Sequence, residues 1–259
     1  MSEAHEPRPG PPALARPIAD PLDEGVRLAA AVRTSGLSLR ITGGVAIGMR
    51  CPSAGEPALR RVYGDIDLFG LRKEGREVSE LLASLGYEPD VRFNTLHGSR
   101  RLFFWDPLNS RQIDVFLDVF DMCHRLDLTK RLRLPDTVSL ADLLLMKLQV
   151  VETNDKDFKD ILALLLDHPF GADDEVIDIA YIAELACADW GLWRTTTMVA
   201  ERAGRYAAEL PGFEDRDRVH AQVSAYIGAL EDAPKTRSWK VRSLVGERLR
   251  WYQLPEESH

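Results

Sequence analysis

Two aspartates lie two residues apart within a short apolar run. Asp65 and Asp67 alternate with Ile66 and Leu68, a pattern that predicts a β-strand. Side chains two residues apart on a strand share one face of the sheet, so the two carboxylates are expected side by side. Like charges at this spacing repel each other, and a divalent cation relieves the repulsion. Because Mg²⁺ binds through one or two carboxylates, water and substrate phosphates, the pair predicts a magnesium site.

Two adjacent glycines precede these acids along the chain. Gly43 and Gly44 follow a short apolar strand at 39–41, and the residues after them predict a short helix over 44–50. Glycine allows a backbone to approach a ligand closely, and the first amides of a helix attract phosphate. The two glycines therefore predict a phosphate-binding turn, with a plain strand-to-helix turn as the alternative.

The order of a glycine pair, an Asp-x-Asp strand and a later aspartate resembles the signature of the nucleotidyltransferase superfamily. The later aspartate corresponds to Asp114, within the strand-like run 112–119. With Arg61 four residues before Asp65, the spacing is closest to the abortive-infection-toxin-like branch and to uncharacterised bacterial nucleotidyltransferase family proteins. The resemblance extends over residues 38–167.

This resemblance implies a role for each acid and for the glycines. Asp65, Asp67 and Asp114 would hold one or two Mg²⁺ ions, and Asp114 would also act as, or position, the base for the attacking hydroxyl. The ions would bridge a triphosphate and neutralise its developing charge. Gly43 and Gly44 would cradle that triphosphate. For Asp114 alone, a surface acid on an edge strand is the alternative.

Two basic residues join the candidate site. Arg61 could reach nucleotide phosphates, or it could face solvent on a loop. Lys147 falls on or beside the apolar face of a helix predicted over 139–151, where a lysine must reach solvent or an anion. In the toxin-like branch a lysine at this place recurs near the active site. The resemblance therefore gives Lys147 a catalytic role with phosphate or substrate.

A Lys-Asp-x-x-Asp run also recurs near the active site of the toxin-like branch, and residues 156–160 match it. Its acids, Asp157 and Asp160, lie on a helix predicted over 155–166. They would shape the nucleotide site by pairing with Lys147 or Arg61, or they would belong to a solvated helix face.

The predicted elements define an α+β fold. Residues 22–137 predict a nucleotidyltransferase-type mixed β-sheet with flanking helices, including helices over 22–35 and 74–85 and strands over 91–96, 101–105 and 112–119. Residues 138–259 have apolar patterns of almost purely helical spacing and predict an all-helical C-terminal region. Residues 1–21 hold six of the fifteen prolines and predict a disordered tail.

The composition suits a globular protein with a sizeable core. The chain has 259 residues, of which 45% are hydrophobic, and a net charge of −8. No apolar run approaches the roughly 18 residues of a membrane span, and the N-terminus lacks the apolar stretch of a signal peptide, so no membrane partner is expected. Three scattered cysteines suit a reducing compartment, which predicts a cytoplasmic protein.

The reaction implied is the Mg²⁺-dependent transfer of a nucleoside monophosphate from an NTP, such as ATP, to a hydroxyl, with release of pyrophosphate. Acidic composition favours a small molecule or a protein as the acceptor. The segment 235–250, with six basic residues and one acidic residue, favours tRNA or is simply a solvated helix face. Two alternatives remain: a non-catalytic nucleotide- or partner-binding module of the same fold, and the toxin of a toxin–antitoxin pair with an antitoxin protein as partner.

Overall fold

Residues 16–254, which the computed structural model describes, form a five-stranded mixed sheet followed by a series of helices. The first half contains α1 (Pro21–Ser35), β1 (Arg40–Thr42), α2 (Gly43–Arg50), β2 (Asp65–Gly70), α3 (Gly75–Ser84), β3 (Glu88–Pro89), α4 (Val91–His97), β4 (Arg101–Asp106) and β5 (Arg111–Leu117). The second contains β6 (Val119–Asp121), β7 (Arg125–Asp127), α5 (Leu140–Leu148), α6 (Asp155–Asp167), β8 (Phe170–Gly171), β9 (Ile177–Asp178), α7 (Ile179–Ala188), α8 (Trp190–Glu209), α9 (Arg216–Asp232) and α10 (Arg237–Val245). The mixed α+β class, with a small mixed sheet and a C-terminal helical region, is confirmed.

The sheet has the strand order β1-β2-β5-β4-β3, in which β2 and β5 are parallel and the other neighbours are antiparallel. In this register Asp67 lies opposite Asp114. One row further along, Asp65 lies opposite Gln112, which in turn lies opposite Trp105 on β4. Residues opposite each other on neighbouring strands share a face, so these five side chains belong to one surface of the sheet.

The other face of the sheet is apolar and buried. It is formed by Ile66, Leu68, Leu102, Phe104, Ile113 and Val115. These side chains share a single core cluster with apolar residues of α1 and α3, two helices that contact the sheet. Burial of this face fixes the strand register, because a slip by one residue would turn every apolar side chain outward.

The N-terminal part of the fold begins before the predicted end of the disordered tail. Residues 1–15 lie outside the described residues, whereas residues 16–21 take part in the fold. The Ile18 amide donates to the buried Glu24 carboxylate at 2.9 Å, and the Ile18 carbonyl accepts from the Arg111 guanidinium at 2.8 Å. Buried charged groups need such partners, which is why this proline-containing stretch is held in place.

The strand predicted over 91–96 is wrong, because these residues form α4. The Asp90 carboxylate accepts from the Phe93 amide at 2.8 Å and begins the helix. The Asn94 side chain then exchanges hydrogen bonds of 2.7 and 3.0 Å with the backbone N–H and C=O of Phe103. A side-chain amide thus covers the β4 edge where another strand was expected.

The helices that lead into the site follow the predictions closely. The Ser139 hydroxyl accepts from the Asp142 amide at 3.2 Å and begins α5 as expected. Asn154 begins α6 through a capping box with Asp157. The small parallel pair of β8 and β9 is an addition to the predicted all-helical region. Among the described helices, none combines the length and apolarity needed to cross a membrane.

Candidate active site

A cleft of about 540 Å³ opens between the polar face of the sheet, the end of α5 and the start of α6. Its lining consists of Gly44, Arg61, Gly64, Asp65, Asp67, Trp105, Ser110, Gln112, Lys147, Asn154, Lys156 and Asp157. Six of the nine residues predicted for the site are in this lining. The other three, Gly43, Asp114 and Asp160, adjoin it: each neighbours a lining residue along the chain, across the sheet or through an ion pair.

The glycine turn is shaped by what approaches it. Gly43 has a φ of +61°, and a Cβ there would lie 2.1 Å from Asp67 Oδ2. A Cβ on Gly44 would lie 1.6 Å from Arg61 Nη2. Only glycine therefore allows an aspartate and an arginine to approach the start of α2 this closely. Thr42, the residue before the helix, makes no side-chain cap, so the first amides of α2 lack that internal partner.

Asp65 and Asp67, which we call the acid pair, lie beside this turn. Asp65 is exposed and Asp67 is partly buried. Neither carboxylate forms a hydrogen bond or ion pair with another of the described residues. Burial, together with the nearby carboxylates of Asp65 and Asp114, raises the pKa of Asp67 to about 7. Among residues 16–254, the acid pair is therefore a site of negative charge without a direct partner.

Asp114 has a different environment. It is buried on the central strand β5, so the alternative of an exposed acid on an edge strand does not apply. Its carboxylate accepts two hydrogen bonds from the Arg101 guanidinium, of which the one from Nε measures 2.7 Å. Burial raises the pKa of Asp114, and the bonds from Arg101 oppose that rise. The third acid is thus paired with a protein cation.

Four charged side chains form what we call the charge cluster: Arg61, Lys147, Asp157 and Asp160. Arg61 donates to both carboxylate oxygens of Asp160, at 2.7 and 2.9 Å. Lys147 Nζ lies 2.9 Å from Asp157 Oδ1 and 2.9 Å from Asp160 Oδ2. Asp160 therefore holds both cations at once, and its side chain is only 2% exposed. The structure shows Asp157 and Asp160 paired with the basic residues and not on a solvated face.

The charge cluster keeps Lys147 ionised. Burial lowers the pKa of Lys147, but the carboxylates of Asp160 and Asp157 outweigh that effect, so the pKa is raised. The Arg61 guanidinium also stacks over the Tyr63 ring, 4.4 Å from its centre. Two positive and two negative charges balance within the cluster. Its members are rigidly placed beside the cleft and carry little net charge into it.

Several lining residues were missed at the level of sequence. Lys156 is exposed at the start of α6 and forms no ion pair with the other described residues, so its charge is available to a ligand. Gln112 was detectable, because it precedes Asp114 by two residues and so shares its face. For Trp105 the sequence pattern predicts only a place in a strand. Its place in the cleft depends on antiparallel pairing between β4 and β5.

Two carboxylates of the site, and not three, are placed to bind Mg²⁺. Over residues 16–254, no three His, Cys, Asp or Glu side chains are arranged to hold a metal ion. Asp65 and Asp67 offer two unpaired carboxylates on one face, which is the number of protein ligands that Mg²⁺ uses when substrate phosphates complete its shell. Asp114 could join them only if its carboxylate left Arg101. The arrangement fits a metal held jointly by the acid pair and a phosphate-bearing ligand.

No protein-family model matches the sequence, and no curated protein is significantly similar to it. What supports a function is therefore the site itself. One cleft is lined by the acid pair, the uncapped start of α2 and Lys156, and neither the acids nor the lysine has an ion-pair partner within the described part of the chain. Chemically, this arrangement can bind a polyanion together with a divalent cation.

Proposed function

We propose that the protein is a Mg²⁺-dependent nucleotidyltransferase with a nucleotidyltransferase-type sheet. It would transfer a nucleoside monophosphate from an NTP to a hydroxyl and release pyrophosphate. The observation that carries the proposal is the unpaired acid pair, Asp65 and Asp67, next to the glycine turn that begins α2. A triphosphate with Mg²⁺ satisfies both features together, because it supplies a cation to the acids and an anion to the helix start.

Each residue of the site would have a distinct task. The amides at Gly43 and Gly44 would donate to the phosphates, and Lys156 would add a charge from the opposite wall. Asp65 and Asp67 would hold Mg²⁺, which when bound neutralises phosphate charge and polarises the phosphoryl group. Asp160 would keep Arg61 and Lys147 oriented towards the triphosphate.

The bond changes follow from an in-line displacement. The acceptor oxygen forms a bond to the α-phosphorus while the bond from that phosphorus to the bridging oxygen of pyrophosphate breaks. The hydroxyl proton must pass to a base. Asp114 would take this role, and its carboxylate would first have to leave Arg101.

The test uses NTPs labelled at either the α- or the γ-phosphate. The protein is incubated with Mg²⁺ and two acceptor pools, total RNA and a small-molecule extract. We expect the α-label to appear in one pool and the γ-label to be released as pyrophosphate. Asp65→Asn and Asp67→Asn should abolish both signals. Transfer of the γ-label, or α-label transfer that survives both substitutions, would refute the proposal.

A second candidate is a nucleotide-binding module without chemistry. The observation that favours it is the Arg101–Asp114 ion pair, which occupies the third acid of the site. In that case wild type should bind Mg·NTP, and no label should reach either acceptor pool. Arg101→Ala discriminates between the two candidates, because it frees the Asp114 carboxylate. A module without chemistry should still transfer no label in this variant.

A further inference from the structure

The cleft has two ends of different character. The end near α2, α5 and α6 is lined by Gly44, Arg61, Lys147, Asn154, Lys156 and Asp157. Arg61 and Lys147 belong to the balanced charge cluster, and Lys156 forms no ion pair with the other described residues. Trp105, Ser110 and Gln112 line the other end, where the lining has no charged side chain. The acid pair lies between them. Lys156 and the uncapped start of α2 suit an anionic part of a ligand at the first end, and the other end suits an uncharged part.

Trp105 differs from the other four tryptophans of the chain. Those four lie in the second half, and each has another aromatic ring as an edge-to-face neighbour: Trp190 with Trp251, and Trp193 with Trp239. Trp105 is 38% exposed and contacts no aromatic ring of another described residue. Large aromatic side chains normally bury their area in a core or an interface. An exposed indole that lines a cleft is suited to stacking on a ligand.

The hairpin of β4 and β5, which carries Trp105, is held in place by a buried ion pair. Next to Trp105 and Gln112 on their strands are Asp106 and Arg111, which lie opposite each other and form a buried ion pair of 2.8 Å. Asp106 also accepts from the Leu108 amide at 3.1 Å and from other groups of the turn. The turn is therefore well ordered, and Trp105 and Gln112 are placed before any ligand arrives.

The direction of phosphoryl transfer decides which substrate meets Trp105. The glycine turn follows β1 on one side of the acid pair, and Trp105 lies on β4 on the other side. Adjacent strands are about 4.8 Å apart, so Trp105 is roughly 10 Å from Asp65 across β5. An attacking hydroxyl must approach the α-phosphorus opposite the leaving pyrophosphate. If the pyrophosphate lies over the glycine turn, the acceptor arrives from the side of Trp105.

We propose that Trp105 and Gln112 form the acceptor subsite, in which the indole stacks on a ring face of the acceptor and Gln112 hydrogen-bonds to the edge of that ring. This inference rests on the proposed function, because it uses the direction of nucleotidyl transfer. The acceptor is then a hydroxyl compound with an uncharged ring face next to that hydroxyl. Such a face is found on a nucleobase at an RNA end and on a sugar ring of a small molecule.

The test detects ligand binding at Trp105 directly, by ¹⁹F NMR. The full chain is labelled with 5-fluorotryptophan, and the ¹⁹F signal of Trp105 is assigned by its loss in Trp105→Phe. Two probes are added separately, a short RNA with a free 3′-hydroxyl and an uncharged methyl glycoside, each with and without Mg²⁺ and a non-hydrolysable NTP. We expect one probe to shift the Trp105 signal and to leave the other four tryptophan signals unchanged. The probe that does so identifies the source of the ring.

Two variants measure the contribution of the ring. Trp105→Ala should weaken binding of the active probe by about tenfold or more, as loss of a stacking aromatic does elsewhere, and Trp105→Phe should retain most of it. Neither should change the affinity for Mg·NTP. Leu108→Ala is the control, because Leu108 is 62% exposed on the same turn but does not line the cleft. It should leave both affinities unchanged.

The outcomes separate this inference from the proposed function. Loss of Mg·NTP affinity in Trp105→Ala with probe binding unchanged would place Trp105 at the nucleotide base and overturn the inference. Failure of both probes to perturb the Trp105 signal would overturn it as well. If wild type binds no Mg·NTP but a probe still shifts the Trp105 signal, the proposed function fails while the ring-binding subsite stands.

Discussion

The acid pair and the charge cluster border the same cleft but treat charge in opposite ways. In the charge cluster, Asp160 holds Arg61 and Lys147 within 2.9 Å, and positive and negative charges balance. In the acid pair, the repulsion between Asp65 and Asp67 is relieved by no direct partner among the described residues. A partly buried carboxylate such as Asp67 is costly to ionise without a partner, so it points to an external ligand. The balanced charge cluster fixes the shape of the site, whereas the acid pair indicates where a ligand binds.

The largest loss of stability is expected when the charge balance of the charge cluster is broken. Asp160→Asn removes the carboxylate that pairs with both Arg61 and Lys147 and leaves two cations close together. The free energy of unfolding should fall by about 3–5 kcal/mol, as it does when one partner of a buried ion pair is removed. Urea denaturation measures this loss. Asp157→Asn, whose side chain is 14% exposed, leaves Asp160 in place and should cost clearly less. Equal losses in the two variants would contradict the central place of Asp160.

The next effect concerns the turn beside the acid pair. Gly43→Ala places an alanine in a left-handed backbone conformation, which costs about 1–2 kcal/mol. The added Cβ also forces Asp67 away from the start of α2. Both stability and Mg·NTP affinity should fall. Gly36→Ala is the matched control, because its φ of +74° carries the same backbone cost with nothing within 4 Å of the added Cβ. It should lower stability alone. Normal nucleotide binding by Gly43→Ala would show that the close approach has no role in the site.

Proton competition at the acid pair should make metal binding depend on pH. Asp67 has a pKa raised to about 7 in the free protein, and Mg²⁺ binds its ionised form. Affinity for Mg²⁺ should therefore rise about tenfold per pH unit up to pH 7 and level off above it. Calorimetry between pH 5.5 and 8.5 checks this, with Mg·NTP as the ligand. A flat profile, or one that falls with rising pH, would contradict the proposed ligand.

The smallest effect tests whether the acid pair costs stability. Because the folded-state pKa of Asp67 lies above the ordinary value of 3.8, native stability rises as pH falls through about 7 and is reduced above it. Asp67→Asn removes that penalty. At pH 8 it should therefore raise the melting temperature. A lower melting temperature would mean that Asp67 stabilises the fold, as Asp160 does.

Local patterns in the sequence anticipate much of this fold and part of the site's arrangement. The period of two predicts that Asp65 and Asp67 share a face, and Gly36 and Ser139 mark helix ends that the structure confirms. Long-range pairing is beyond such patterns. The register that places Asp114 opposite Asp67 joins strands far apart in sequence, and so does the contact between Asp160 and Arg61.

Side-chain competition explains the rest of what could not be predicted. Arg101 reaches Asp114 only because β4 pairs antiparallel with β5, and nothing local in the sequence indicates that contact. The helix α4 depends on Asn94, whose amide replaces a strand partner at the β4 edge. Apolar residues alone suggested a strand there. In both cases a polar side chain finds its partner through tertiary structure.

The most direct test of the account is Mg·NTP binding by titration calorimetry, with wild type compared with the double variant Asp65→Ala, Asp67→Ala. All four NTPs are titrated with and without Mg²⁺, and thermal melting confirms that the variant is folded. We predict that wild type binds at least one NTP only when Mg²⁺ is present, and that the folded variant binds none. Equal binding by the two proteins, or no binding by wild type, would contradict the claim that the unpaired acids are a metal–nucleotide site.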